Sequence, residues 1–198
     1  GVNGLLDAMD ARGRLESSII ALTSDHGEGL GEHGEETHGF FVYDSTTRVP
    51  LMVWVGDEVS TRGPTTAKSV PGPASVLDIG ATMLTASGLA PIGTDSIDLL
   101  SVDTIPSRSL SVETVTPALD FGAAPIFGVY DGSKRVWYDT PRPERYHLDS
   151  DPKQLVNRYR PEHASKADAI FERFPRKWPP TDDPMALSPE DREALEAR

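Results

Sequence analysis

Apolar residues recur along this chain in more than one rhythm, and each rhythm predicts a different element. Leu5, Leu6 and Met9 stand at helical intervals, with Gly13 beyond them as a stop. Ser18-Ile19-Ile20-Ala21-Leu22-Thr23 is an unbroken apolar run rich in β-branched side chains. A run without polar alternation predicts a parallel strand buried on both faces. Val49-Pro50-Leu51-Met52-Val53-Trp54-Val55 predicts a second buried strand closed by Gly56. Pro50 belongs at its first position, because its nitrogen has no proton to give to a ladder. After a loop rich in Gly and Pro, Ser75 predicts a cap for a helix running to about Ala86. Val76, Ile79, Met83 and Leu84 form its inner side, and Gly88 closes it. Helix, strand, long loop, strand, helix is the rhythm of an α/β domain with a mostly parallel sheet.

The pattern changes near Ser107. Short alternating segments take over at Leu110-Ser111-Val112, Ile126 to Tyr130 and Arg135 to Tyr138, with Asp131-Gly132 between the last two as a hairpin signal. Glu144 to Leu148 predicts one more strand. Ala164, Ala167, Ile170, Phe171 and Phe174 predict a closing helix. Beyond Pro175 the chain is rich in Pro, Asp and Glu and reads as extended, until Ser188-Pro189-Glu190-Asp191 opens another helix. The expected organisation is an α/β core over 1–106, an antiparallel subdomain over 107–174 and an extended tail over 175–198. Trp137, Tyr138 and Tyr130 read as cross-strand packing rather than a sugar platform. His147 and His163 read as ordinary boundary residues.

Charge narrows the function classes. With 31 acidic and 19 basic residues the net charge is −12, which argues against nucleic acid as a partner. An anionic substrate stays possible where a metal and local cations reverse the field. The chain has no cysteine, so it holds no disulfide and no thiolate metal site. No stretch is apolar and long enough to span a membrane. Gly1-Val2-Asn3-Gly4 has neither the basic region nor the apolar run of a secretion signal, and no Met opens the chain. We therefore expect a portion of a longer protein.

Three of the five histidines fall between positions 26 and 38, just after the first predicted strand. In open α/β sheets, ligands bind beyond the carboxyl ends of strands. Asp25 and His26 are adjacent where the strand ends, so both can turn toward one ion, a hard oxygen beside a borderline nitrogen. The glycines at 27, 29, 31 and 34 let the backbone fold closely around an ion or anion. His38 could return over the same pocket as a proton donor or a cation. On spacing alone, a solvated polar loop competes with a metal or catalytic site.

The stretch Thr23-Ser24-Asp25-His26-Gly27-Glu28-Gly29-Leu30-Gly31-Glu32-His33-Gly34, then Thr37-His38-Gly39 and Arg48-Val49-Pro50-Leu51, resembles the sulfatase family of the alkaline-phosphatase superfamily. Ser75 to Leu84 with Gly88-Leu89, Glu113-Thr114, Gly128 to Lys134, and Tyr146-His147-Leu148 with Asp151-Pro152 and Asn157 extend the likeness, in the order of that family's C-terminal portion. Leu187 to Asp191 resembles the tail of bacterial members, in some of which tetratricopeptide repeats follow.

The resemblance implies the C-terminal part of an alkaline-phosphatase-like α/β/α sandwich with a small antiparallel subdomain. Asp25 and His26 match a pair that ligates one divalent metal, calcium first, with manganese, magnesium and zinc as alternatives. His38 matches a position that contacts sulfuryl or phosphoryl oxygens near the leaving group. His33 matches no assigned role and reads as a loop residue. The family nucleophile, formylglycine made from Cys or Ser, and further acidic ligands lie in an N-terminal half, the expected partner of this piece. The implied substrate is a sulfate-ester small molecule or glycan, and the implied location periplasmic or extracellular, with the cytoplasm as the alternative. Phosphodiester or phosphonate ester hydrolysis, phosphotransfer, and a non-catalytic binding module are the competing expectations.

Overall fold

The computed structural model describes residues 1–59, 68–91, 95–132, 134–140 and 142–174. The expected tail and further helix over 175–198 lie outside the described residues. The chain forms two compact units, each built from interleaved segments. The first contains Gly1–Gly27 and Thr47–Leu110, and the second contains Glu28–Thr46, Ser111–Tyr130 and the chain from Lys134 onward.

In the first unit, helix α1 covers Val2–Asp10, strand β1 Ile19–Thr23 and strand β2 Leu51–Val55. The two strands pair antiparallel, Ile19 opposite Val55 and Thr23 opposite Leu51. This corrects the expectation of parallel strands buried on both faces. β2 in fact alternates, with Leu51, Val53 and Val55 half-buried while Met52 and Trp54 are 59% and 38% exposed. The outward side chains happen to be apolar, so a half-buried strand of period two reads as a continuous run.

Helix α3, Leu77–Ala86, ends as expected, with Gly88 left-handed at φ 76° and Leu89 N–H donating back to Leu84 O at 2.9 Å. (The short α2, Asp44–Thr47, precedes it in the chain.) Of the residues predicted for its inner side, Ile79, Met83 and Leu84 are half-buried and Val76 is exposed, while Asp78, Ala81 and Thr82 are fully buried. Asp78 is 0% exposed and fully used. Its carboxylate accepts from Ser75 N–H at 2.8 Å, from Ile97 N–H at 2.9 Å and from the Arg108 guanidinium. Thr82 Oγ1 donates to Asp78 O at 2.7 Å and accepts from Leu99 N–H at 2.9 Å. A buried charge is tolerable only when paired and hydrogen-bonded in this way. The hub thus staples the start of α3 to residues 95–108.

In the second unit, strands β3 (Ser109–Thr114), β4 (Ile126–Asp131), β5 (Arg135–Asp139) and β6 (Glu144–His147) lie in that order in one sheet. The expected strands after Ser107 are therefore present, and β5 pairs antiparallel with β6. Helix α4, Thr116–Phe121, links β3 to β4, and helix α5, Ala164–Phe171, closes the unit. Each sheet face carries its own core. Ile126, Val136, Tyr138 and Tyr146 pack with Val42 on one side, and Phe127, Val129 and Trp137 pack with Ala167 and Ile170 of α5 on the other.

Trp137 and Tyr138 are 1% and 2% exposed, so the packing role expected of the strand aromatics holds. Gly128 is required in β4, since a Cβ there would lie 2.6 Å from the Tyr138 ring and 3.0 Å from Val112. No helix among the described residues is long and apolar enough to cross a membrane.

Candidate metal and anion site

Asp25 and His26 follow directly on β1. Asp25 Oδ1 accepts from His26 N–H at 3.0 Å and from Ser24 Oγ at 3.2 Å. The His26 amide first, then Ser24 and the His26 ring, hold the Asp25 carboxyl below its usual range, so it is ionised at neutral pH. The side chain is 85% exposed and remains open to a ligand. His26 Nδ1 lies 2.7 Å from Gly27 O. A carbonyl only accepts, so Nδ1 carries a proton and Nε2 is the atom turned toward Asp25. That Nε2 is 3.6 Å from Asp25 Oδ2. An anionic oxygen and an imidazole nitrogen thus converge, with the ring oriented by a backbone carbonyl as in metal-ligating histidines. These two residues fit a divalent ion as two of its ligands. Structural and catalytic sites take more, so others must complete the set.

The glycine-rich stretch continues into the second unit, where it folds on itself. Gly29 N–H donates to Thr37 O at 2.6 Å and Gly31 N–H to Glu35 O at 2.9 Å. This clip requires glycine at 29: a Cβ there would stand 2.7 Å from Glu35 O and 2.8 Å from Thr37 O. Its backbone pairing carries the chain back so that His38 Nδ1 lies 3.3 Å from both Glu28 carboxylate oxygens. Buried Glu35 locks the base of the clip, accepting from Phe40 N–H at 2.7 Å.

The segment after the clip is fastened to the antiparallel sheet. Tyr43 Oη donates to Glu144 at 2.7 Å, alongside Tyr146 at 2.9 Å. Tyr130 Oη donates to Asp44 at 2.7 Å. Gln154, 1% exposed, accepts from Asp44 N–H at 2.8 Å and donates to Tyr138 Oη at 2.8 Å. Burial first, then the Glu144 carboxylate, pushes the Tyr43 and Tyr146 hydroxyls up, so both stay protonated donors. His33 belongs to this anchoring: its ring stacks on Tyr43 at 3.7 Å, and its Nε2 lies 3.1 Å from Lys153 O.

The structure therefore brings Asp25 and His26 together in the first unit, and it brings His38 to Glu28 in the second. Glu28 carried no role in the sequence reading, although it stands in the motif. Its signal was available, since glycines at 29, 31 and 34 mark a tight return that places position 28 opposite position 38. Gln154 and Glu35, which hold the clip in place, leave no comparable mark. Glu113 is exposed on β3, while its neighbour Thr114 donates through Oγ1 to Gly39 O.

Comparisons with known proteins agree with this picture. Residues 1–89 match the family model described as Sulfatase. Iduronate 2-sulfatase of Mus musculus is 48% identical over 54 residues, which are 27% of this chain and 10% of that protein. Choline-sulfatase of Rhizobium meliloti is 28% identical over 165 residues, 79% of this chain and 30% of that protein. The chain thus spans at most about a third of these curated relatives.

Among solved structures, BT4656 in complex with its substrate D-glucosamine-2-N, 6-O-disulfate superposes with a TM-score of 0.62 at 21% identity, over 86% of this chain and 36% of that one. Phosphonate monoester hydrolase of Agrobacterium radiobacter gives 0.61 at 18% identity, over 86% and 37%. Likeness at that identity establishes the fold alone, mixed α/β with antiparallel sheets, as one shared with these structures. Over residues 1–89, which include the strand and loop that bear Asp25, His26 and His38, the chain is similar to the sulfatase family.

Proposed function

We propose that the protein to which this chain belongs hydrolyses sulfate esters with one divalent metal ion, and that this chain supplies part of the site. The observation that carries the reading is the convergence of Asp25 Oδ2 and His26 Nε2 at 3.6 Å, with the His26 ring oriented by Gly27 O. Asp25 and His26 would hold the ion, calcium by family resemblance, with manganese, magnesium and zinc as alternatives, of which zinc is the one an imidazole nitrogen favours. When bound, such an ion supplies Lewis-acid polarisation of the ester oxygens and lowers the pKa of a coordinated hydroxyl.

His38 would face the transferring group. Glu28 takes its Nδ1–H, which orients the ring and turns Nε2 toward the sulfuryl oxygens and the leaving alcohol. The nucleophile and remaining acidic ligands would lie in a segment outside this chain. The substrate would be a sulfated small molecule or glycan, and the compartment periplasmic or extracellular.

The test is metal content and sulfatase turnover of the longer protein with Asp25→Ala and His26→Ala. We expect each to lose the bound ion and at least 100-fold in kcat/KM, about 3 kcal/mol of barrier. Unchanged metal and activity would overturn the reading. Phosphonate and phosphodiester hydrolysis is the second reading, because phosphonate monoester hydrolases share this fold. Comparing an aryl sulfate with an aryl phosphonate monoester decides between them.

A further inference from the structure

The second unit holds a cavity that the site above does not use. Phe41, Tyr43, Ile126, Tyr138, Arg142 and Glu144 are among the residues that line it, and its volume is about 340 Å³. Small-molecule sites are cavities of that order, mostly apolar with a few placed polar groups. Phe41 and Tyr43 are half-buried, with ring centroids 5.6 Å apart and planes tilted by 47°, so they form a bent aromatic wall. All of these residues belong to one compact unit.

Two polar groups at this wall have capacity to spare. Glu144 accepts from the Tyr43 and Tyr146 hydroxyls at 2.7 and 2.9 Å, both on Oε2. No hydrogen bond among the described residues reaches its Oε1, although each carboxylate oxygen can accept two. Arg142 is exposed, and its guanidinium has no partner among the described residues. The turn that carries it is fixed instead through the backbone. Thr140 Oγ1 donates to Arg142 O at 2.5 Å, and Asn157 Nδ2 donates to Pro143 O at 3.1 Å.

An aromatic wall, one open acceptor and one open donor fork select among ligands. A wholly apolar molecule would desolvate Glu144 Oε1 and Arg142 without answering either. An aromatic acid would answer Arg142 alone and set its apolar body against a carboxylate. A pyranose that bears a carboxylate answers all three. Its C–H face covers the rings, a hydroxyl donates to Glu144 Oε1, and its acid takes the guanidinium fork two bonds at a time. We propose that this pocket binds a sugar ring of the uronic acid type, with Phe41 and Tyr43 beneath the ring and Arg142 on its carboxylate. The site stands independently of the metal and of the reaction proposed above.

Ligand-detected NMR titration of the longer protein tests this, with methyl β-D-glucuronide, methyl β-D-glucoside and phenylacetate as probes. We expect the glucuronide to bind about tenfold more tightly than either of the others, the effect of one hydrogen bond to a charged group. Arg142→Gln should bring the glucuronide down to the level of the glucoside, and Arg142→Lys should keep most of the difference. Asp25→Ala should leave glucuronide binding as it is, which separates this pocket from the proposed metal site. The proposal is overturned if the glucuronide does not bind the wild type, or if the glucoside or phenylacetate binds as tightly. It is equally overturned if Arg142→Gln keeps the preference, or if Asp25→Ala abolishes the binding.

Discussion

At the scale of single residues, the site is a matter of which atom of each side chain is already engaged. Gly27 O at His26 Nδ1 and Glu28 at His38 Nδ1 leave different tasks to the two rings, although composition presents them as equivalent histidines. Glu28→Gln therefore makes a sharp test. The amide cannot accept as a carboxylate does, so the His38 ring loses its charged orienting partner. We expect kcat on a sulfate ester to fall about tenfold, with metal content intact, and steady-state kinetics beside metal analysis checks it. Asp25, His26 and His38 stand out in the sequence because of residue type and position after an apolar run. Glu28 was visible but mute, since a lone Glu in a polar loop reads as solvation until the backbone shows what it opposes.

Elements explain where legibility stopped. α3 is placed by its glycine stop, and Ile79, Met83 and Leu84 of its predicted inner side are half-buried, but the buried Asp78 went unread. Asp78 is satisfied by Ile97 N–H and Arg108, partners far along the chain, and no local pattern announces them. The direction of β1 and β2 was misjudged for a related reason: strand polarity depends on the partner, and apolar side chains on both faces hide the pleat.

Two expectations belong at this scale. Gly29→Ala forces Cβ into two carbonyl oxygens of the clip. It should lower stability by about 2 kcal/mol and separate His38 from Glu28, read by thermal melts and by the His38 imidazole NMR signal. Asp151 governs acid behaviour. Burial pushes its carboxyl up, but the Leu155 and Val156 amides and Arg158 more than offset this and leave it below its ordinary value. A folded value below the unfolded one gives stability that is present above the usual carboxylate range and lost as pH falls through the folded value. Asp151→Asn should cost about 2 kcal/mol at neutral pH, and its stability should fall less steeply on acidification, in denaturant titrations from about pH 6 to about pH 3.

For the molecule as a whole, the interleaving of the units matters more than their boundary. Residues 28–46 belong to the same compact unit as the C-terminal sheet, while Asp25 and His26 belong to the other. The chain spans 30% of choline-sulfatase, and its purified 198 residues should show no turnover of an aryl sulfate. Robust metal-dependent hydrolysis by that piece alone would place the nucleophile within it. The clip has one further consequence. Its closure rests on main-chain bonds from Gly29 and Gly31, and Glu28 and His38 meet at its mouth. A loop closed by main-chain pairing leaves the groups at positions 28 and 38 as the variable part of its mouth.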